Sequence, residues 1–363
     1  MRFLQRWSVA TCSALRRLLA RSGDWILRRP SLARWFYPTP DQEDEAQYRR
    51  FNERYFASLY EQERMLADRP RMDFYAALIR HHVRPGDRVI DLGTGTGILA
   101  ALAARQGAAC VHAIDHSEIL NHARALAQRN QVTGVEFHAV HSRQFHVPEK
   151  VDVILHEQMG DALFDEDMMA NVLDLRDRLL KPGGRVLPAQ FDFYCEPVAI
   201  DPRRHVPFIW QLNVHGFDFS SLEWDRPQDP SYYRLALGDA AIVESFVGRP
   251  EPALSVDLTT LRLPELPREV QLQRRVLRAG RVDGLLVYFR VHAAPELTLT
   301  TDPLDPNRAP HWGFRVLRLE SLNVAAGEVV EVTLSVERWA DLNTWRWQCA
   351  VRPAGAGADA PPL

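Results

Sequence analysis

The sequence predicts an α/β chain in which a domain built on a parallel sheet is followed by a mostly antiparallel β domain. Three observations carry this. Short apolar strands alternate with helical stretches between about 89 and 187, the pattern of a parallel sheet with helical crossovers. A glycine-rich turn joins the first strand to the first crossover helix. After Pro188 the apolar residues change to a period of two. With 363 residues the chain has room for both domains.

The elements follow in order. A helical stretch is expected from about Glu45 to His82. Val89 to Asp91 reads as a buried strand, and Gly97 to Gln106 as a helix. Cys110 to Asp115 is a second strand, and Ser117 to Arg129 a second helix. Val135 to Val140 and Val151 to His156 are further strands. Asp165 to Leu180 is a helix that Lys181-Pro-Gly-Gly184 stops, and Arg185 opens the next strand. Beyond Pro188, Leu285, Val287, Phe289 and Val291 alternate with other residues, as do Val330, Val332, Leu334 and Val336. These runs lie between turn-rich segments, which predicts antiparallel strands in a barrel or sandwich. The expected domains are a basic extension over 1–44, a cofactor domain over 45–188 and a β domain over 189–355. The Ala/Gly/Pro-rich residues 356–363 are expected to form a disordered tail.

Composition narrows the function classes. A net charge of -3 gives no basic field, so no specific nucleic-acid partner is expected. The cysteines, Cys12, Cys110, Cys195 and Cys349, are scattered and make no zinc-like spacing. They read as reduced thiols of a cytoplasmic protein with no metal. The first 35 residues hold eight arginines and one acid, with Leu4, Trp7, Leu15, Leu18 and Leu19 at helical spacing. Arg16-Arg17 interrupts the apolar stretch a signal peptide needs. A helix touching a membrane surface or a partner, a helix packed on its own domain, and a poorly ordered leader all remain open.

Chemistry enters at Val89-Ile-Asp-Leu-Gly93-Thr-Gly95-Thr-Gly97. Glycines let a backbone approach a ligand closely and present free N–H groups at a helix start. Such a turn alone also serves nucleotide and flavin sites. Asp115 ends the next strand about 20 residues on, where a carboxylate can accept ribose hydroxyls. Ile98 breaks the dehydrogenase fingerprint, which has GxGxxG.

With these residues in place, Val89 to Leu99 resembles the first motif of class I S-adenosylmethionine methyltransferases. His156-Glu-Gln-Met-Gly-Asp-Ala-Leu-Phe-Asp-Glu-Asp-Met-Met169 is similar to the double-glutamate loop of protein arginine methyltransferases. Pro310-His311-Trp312 resembles that family's Thr-His-Trp loop. Tyr55-Phe56, Met65, Asp68 and Arg71 resemble its N-terminal helix motif, and Val214 to Ser220 its dimerisation arm. The resemblance runs from about Arg50 to Arg352. It implies a Rossmann-like domain, a β-barrel domain with a dimerisation arm over about 201–230, a cis bond at Leu187-Pro188 and a homodimer. Departures are Gln158 in place of a large apolar residue, Asp115 for glutamate, Ser142-Arg143-Gln144 for an acidic pair, and a shortened N-terminal helix.

The implied reaction is methyl transfer from S-adenosylmethionine to an arginine guanidinium in a protein or peptide. Guanidinium is cationic and delocalised, hence a poor nucleophile toward a sulfonium. Two carboxylates, Glu157 and Glu166, would offset the charge repulsion and orient the planar group. His311 would pair with Asp68, hold the N-terminal helix over the cofactor and relay a proton. Arg71, Asp91, Gly93, Gly95, Gly97, Asp115 and Ser142 would bind the cofactor. Tyr55, Met65, Met168 and Trp312 would line the acceptor site, the two methionines favouring monomethyl or asymmetric dimethyl product. Two alternatives stand beside this reading: transfer to free arginine or another small guanidine or amine, and a catalytically silent scaffold.

Overall fold

The structure is a computed structural model that describes residues 57–353. The arginine-rich extension, Tyr55 and the tail over 356–363 lie outside the described residues. The elements below belong to one unit that begins at Leu59. Two helices open it, α1 (Leu59–Ala67) and α2 (Arg69–His82). Asp68 separates them. Its carboxylate caps α2 by accepting from Arg71 N, and Pro70 sits in the first turn of α2. The long helix expected up to His82 is therefore broken, because a capping acid followed by proline starts a new helix.

Five parallel strands follow: β1 (Arg88–Leu92), β2 (Cys110–Asp115), β3 (Val135–Ala139), β4 (Val151–His156) and β5 (Leu180–Leu187). Their order is β3-β2-β1-β4-β5. Helices α3 (Ile98–Arg105), α4 (Ile119–Arg129) and α5 (Met168–Leu179) lie on the connections. α5 stops before Lys181 as expected, but Lys181 to Gly184 forms the first half of β5 rather than a separate turn. Gly183 takes a left-handed φ of 74° there, and the pairing with β4 shifts register between Val151 and Val153. The chain leaves this sheet through a cis Leu187-Pro188 bond.

The second sheet has β13 (Gly280–Ala294) at its centre. β6 (Gln190–Ile200) and β15 (Phe314–Val324) flank it, with β9 (Arg234–Leu237), β10 (Val243–Phe246), β11 (Leu254–Asp257) and β14 (Leu297–Thr300) at the margins. A third sheet pairs β12 (Glu269–Arg275), β16 (Val329–Val336) and β17 (Trp345–Arg352). A hairpin joins β7 (Asn213–Val214) to β8 (Phe217–Asp218). The closed barrel expected from the sequence is absent among the described residues: β10 and β9 end the seven-stranded order without meeting. Alternation shows that a strand has two faces, and closure depends on distant edges pairing, which alternation does not encode.

One core runs through both domains. Phe193, Trp339 and Trp345 meet within 5.5–5.8 Å, and buried residues of β1, β4 and α5 continue the cluster. The other face of β6 and β13 carries a separate cluster, in which Tyr194 and Tyr288 stack at 4.5 Å. β13 is apolar on both faces, which explains its unbroken Leu285-Leu-Val-Tyr-Phe289 run.

The segment expected to serve as a dimerisation arm divides in two. Phe208 and Trp210 stack on each other at 4.7 Å and are buried within their own chain, under Arg318 and beside Tyr232. Trp210 also donates to Glu320 at 3.1 Å. Ile209, Val214, Phe217 and Trp224 stay exposed, Trp224 at 95%.

Arg274 of β12 makes a two-pronged bond to Glu196 of β6, at 2.7 and 2.6 Å, with both side chains buried. This pair ties the third sheet to the second. Glu196→Gln should leave a buried guanidinium short of its counter-charge and cost about 3–5 kcal/mol. The check is the urea midpoint at constant m-value; a loss under about 1 kcal/mol would mean the pair is not structural.

Candidate active site

The strand order places the site. β1 and β4 are neighbours with Leu92 opposite His156, so the glycine turn and the acid loop leave the sheet side by side. This is the point where the winding of the sheet reverses, the usual ligand crevice of open α/β sheets.

Gly93, Gly95 and Gly97 take φ values of 70°, 54° and 82°, which strain any residue with a Cβ. Space matters as well: a Cβ on Gly93 would come 3.2 Å from Gln158 Nε2, and one on Gly95 3.0 Å from Gln62 Oε1. Asp91 is fully buried beneath the turn. Its Oδ2 accepts from the Thr94 hydroxyl at 2.6 Å and from Ala100 N at 3.0 Å, tying the turn to the start of α3. Its Oδ1 is buried with no partner, and burial raises its pKa to about 6. Asp115 closes β2, accepting from Gly95 N with Oδ2 and from Ser117 N and Oγ with Oδ1. An open glycine backbone, an orphaned buried oxygen and a strand-end carboxylate together fit a nucleoside-bearing cofactor.

The acid loop between β4 and α5 is held in an unusual shape. Leu163 and Asp167 have left-handed φ of 69° and 55°. Such a conformation costs about 1–3 kcal/mol per non-glycine residue and persists only where neighbours enforce it. The neighbours are identifiable. Leu163 N bonds Gly160 O at 2.8 Å, and Asp165 accepts from Ala162 N at 3.1 Å. A Cβ on Gly160 would lie 2.1 Å from Asp165 Oδ1, so a larger residue there would displace the carboxylate that accepts from Ala162 N. Phe164 is driven into the aromatic cluster, 4.5 Å from Trp339 and 5.5 Å from Phe193. From the β domain, Gly313 N and Arg315 hold Asp161 at 2.9 and 3.0 Å, and Trp312 donates to Met159 O at 2.6 Å.

The electrostatics are dominated by carboxylates. Burial pushes the Glu166 carboxyl well above its ordinary range, and the neighbouring Asp165, Glu157, Asp161 and Glu61 push it further. Burial likewise raises Glu157, an effect that Arg71 offsets in part through a 2.6 Å bond from its Nη2. Arg71 also donates to Met65 O at 2.9 Å and lies against the rings of Tyr75 and Trp312. Burial, with Arg71 and Arg64 nearby, lowers the His311 pKa to about 3, so its imidazole is neutral at working pH.

Most of the residues singled out from the sequence converge here, with differences. Arg71, expected on the cofactor carboxylate, is paired with Glu157 instead. Asp68 bonds the backbone N of His311 at 2.8 Å, not the imidazole, whose Nδ1 lies 3.6 Å from Glu61. The cause is that the other Asp68 oxygen is committed to capping α2. Trp312 is buried and locks the acid loop rather than facing an open pocket, and Met168 is fully buried at the start of α5. Ser142 is buried in a short 3-10 turn, where its carbonyl accepts from Arg178. Sequence reading missed Glu61, Gln62, Tyr75 and Asp161. Glu61 had one legible sign, an acid one helical turn before Met65. Tyr75, which donates to His156 O at 3.1 Å, had none.

A raised folded-state pKa means that Glu166 contributes stability in full below about pH 4.5 and loses it as pH rises through the folded value. Glu166→Gln removes that loss. The variant should therefore be more stable than the parent by about 1 kcal/mol at pH 8, roughly 1–2 °C in Tm for a chain of this length. The gain should vanish near pH 4. Equal melting curves at pH 8 would show that the acids are not crowded.

Comparison with known proteins agrees with this geometry. The family described as Methyltransferase domain matches residues 84–205. The chain is 32% identical over 314 residues to a protein named Protein arginine N-methyltransferase PRMT10 from Oryza sativa subsp. japonica, covering 78% of this chain and 82% of that one. Among solved structures it is similar to Arabidopsis thaliana protein arginine methyltransferase 10, described as uniquely open in conformation. The TM-score is 0.70 at 26% identity, covering 84% of this chain and 96% of that one. It is also similar to the Trypanosoma brucei PRMT1 enzyme-prozyme heterotetrameric complex with AdoHcy, with a TM-score of 0.71 at 25% identity, covering 83% of this chain and 95% of that one. With a glycine turn and a double-acid loop joined at the sheet's reversal point, and with these relatives matched over most of their length, the chain belongs to the protein arginine N-methyltransferase family.

Proposed function

We infer that this protein transfers a methyl group from S-adenosylmethionine to a guanidinium nitrogen of arginine in protein substrates. The observation that carries the reading is the acid loop itself: it gathers carboxylates around Glu166, and one of its glutamates already holds a guanidinium, that of Arg71. When bound, the cofactor supplies an electrophilic methyl group on a positively charged sulfur.

The chain's own residues do the rest. Gly93 and Gly95 offer open backbone, Asp115 a carboxylate for ribose hydroxyls, and Asp91 holds the turn from below. Glu157 and Glu166 bind and orient the incoming guanidinium and offset the repulsion between two cations. Arg71 can release Glu157 to the substrate by turning to the carboxylate end of the cofactor. Glu166, with its raised proton affinity, is better matched than the neutral, weakly basic His311 to take the proton that methylation releases. Asp68 is then a positioning residue, linking the start of α2 to the His311 backbone.

Glu157→Gln and Glu166→Gln should each lower single-turnover methyl transfer by about 30-fold or more. This corresponds to about 2–5 kcal/mol for breaking a desolvated charge pair. Asp115→Ala should instead weaken cofactor binding first, by calorimetry. Labelled-methyl transfer to protein extracts, run beside free arginine, tests the acceptor class. Label only on free arginine would sink the protein-substrate reading, and turnover within threefold of the parent for both glutamine variants would sink the guanidinium grip.

We further infer that two copies associate through the exposed half of the 201–230 segment. Phe217 and Trp224 form an apolar surface that the segment leaves uncovered while Phe208 and Trp210 pack at home. Light scattering should give a dimer for the parent chain and a monomer for a Phe217→Glu, Trp224→Glu double variant. A monomeric parent at micromolar concentration with full activity would refute this.

A further inference from the structure

The parallel sheet carries a second cluster of reactive side chains. Cys110 and His112 lie on β2, and Glu136 and His138 on β3. His112 pairs with Glu136 and Ile114 with His138, so alternate residues of both strands share one face. Their donor atoms are close. His112 Nδ1 is 3.2 Å from His138 Nε2 and 3.3 Å from Glu136 Oε2, and His138 Nε2 is 3.8 Å from the same oxygen. Cys110 Sγ lies 3.7 Å from His112 Nε2. Cys110, His112 and Glu136 each offer one donor atom within 4.8 Å of the others.

We propose that Cys110, His112 and Glu136 form a three-ligand binding site for one zinc ion, with His138 beside it. One donor atom from each of the three lies within 4.8 Å of the others, and side-chain rotation brings them to the spacing of about 3.3–3.6 Å that tetrahedral zinc with bonds near 2.0–2.3 Å sets between its ligands. One thiol, one imidazole and one carboxylate are a donor set suited to that borderline-soft cation rather than to magnesium or calcium. The Phe145 ring lies 5.7 Å from the His112 ring and 4.9 Å from that of His138, walling the imidazoles into this orientation. The Glu136 side chain is 62% exposed and leaves an entry path.

The site lies away from methyl transfer. Cys110 opens β2 and Glu136 is the second residue of β3, toward the amino ends of these strands, whereas the glycine turn, Asp115 and Glu157 lie at the carboxyl edge. The ligands come from two strands, so the ion clips the edge strand β3 to β2. No zinc-binding spacing announces it in the sequence, because the ligands are a C-x-H pair and a single glutamate on two strands separated by a helix.

The test uses the full chain, stripped with a chelator and titrated with zinc against a chromogenic competitor. One equivalent should bind, and the melting midpoint should rise with free zinc but not with magnesium. Cobalt in place of zinc should give a near-ultraviolet thiolate charge-transfer band that Cys110→Ser abolishes. A Cys110→Ser, Glu136→Gln double variant, checked for folding by circular dichroism, should bind zinc at least about 100-fold more weakly, given that even outer-sphere losses reach that size. If the parent chain binds zinc no better than this variant, or cobalt gives no Cys110-dependent band, the cluster is a hydrogen-bond network and the proposal fails. Methyl transfer is not part of the readout, so the outcome is independent of the proposed activity.

Discussion

Bringing several carboxylates together out of water is the constraint around which this protein is arranged. The proposed mechanism needs Glu157 and Glu166 to face one guanidinium, yet a buried pair of like charges resists formation. The structure manages this with fixed cations of its own. Arg71 sits on Glu157, Arg315 on Asp161, and Arg64 on Glu61. Glu166 is the acid left with the largest upward pressure on its proton affinity, and it marks where an external cation gains most. The same logic accounts for the strained loop. Leu163 and Asp167 accept unfavourable dihedrals because Phe164, Gly160 and the β domain leave the loop no relaxed alternative.

The β domain is therefore part of the site and not an appendage. Trp312, Gly313 and Arg315 all grasp the acid loop, while the His311 backbone grasps Asp68 at the start of α2. One short segment running into β15 thus fixes the acid loop and the helix bearing Arg71 together. The central strand β13, buried on both faces, gives that segment a rigid support, and Phe289 of β13 meets Trp312 edge-on at 5.7 Å. Placing polar groups on loops backed by rigid strands is how a site keeps its geometry while its tips remain free to engage ligands.

Arg71 occupies a position with two possible partners. With Glu157 it neutralises the acid pair in part. Turned toward a bound cofactor it would leave Glu157 to the substrate. On the proposed roles, such an exchange would order binding, since Glu157 would become available once a bound cofactor gave Arg71 another anion. The cost of breaking one buried charge pair is offset by making another, so the exchange demands little net free energy.

The sequence by itself determined the chemistry-bearing turns and loops. Glycine at 93, 95 and 97, aspartate at the end of β2 and the spacing of the two glutamates are local requirements of backbone conformation and ligand charge, written in contiguous residues. Period-two and helical patterns likewise determined which segments are strands and helices, since these reflect which face is buried. Tertiary structure decided what distance in the chain conceals. It chose an open seven-stranded sheet over a closed barrel, gave Asp68 the backbone of His311 rather than its ring, and turned Phe208 and Trp210 inward while leaving Phe217 and Trp224 outside. It also set Arg71 on Glu157 and assembled Cys110, His112, Glu136 and His138 on one sheet face. Each of these pairings depends on long-range register and on competition among partners for the same buried polar group, and neither quantity has a signature in local sequence.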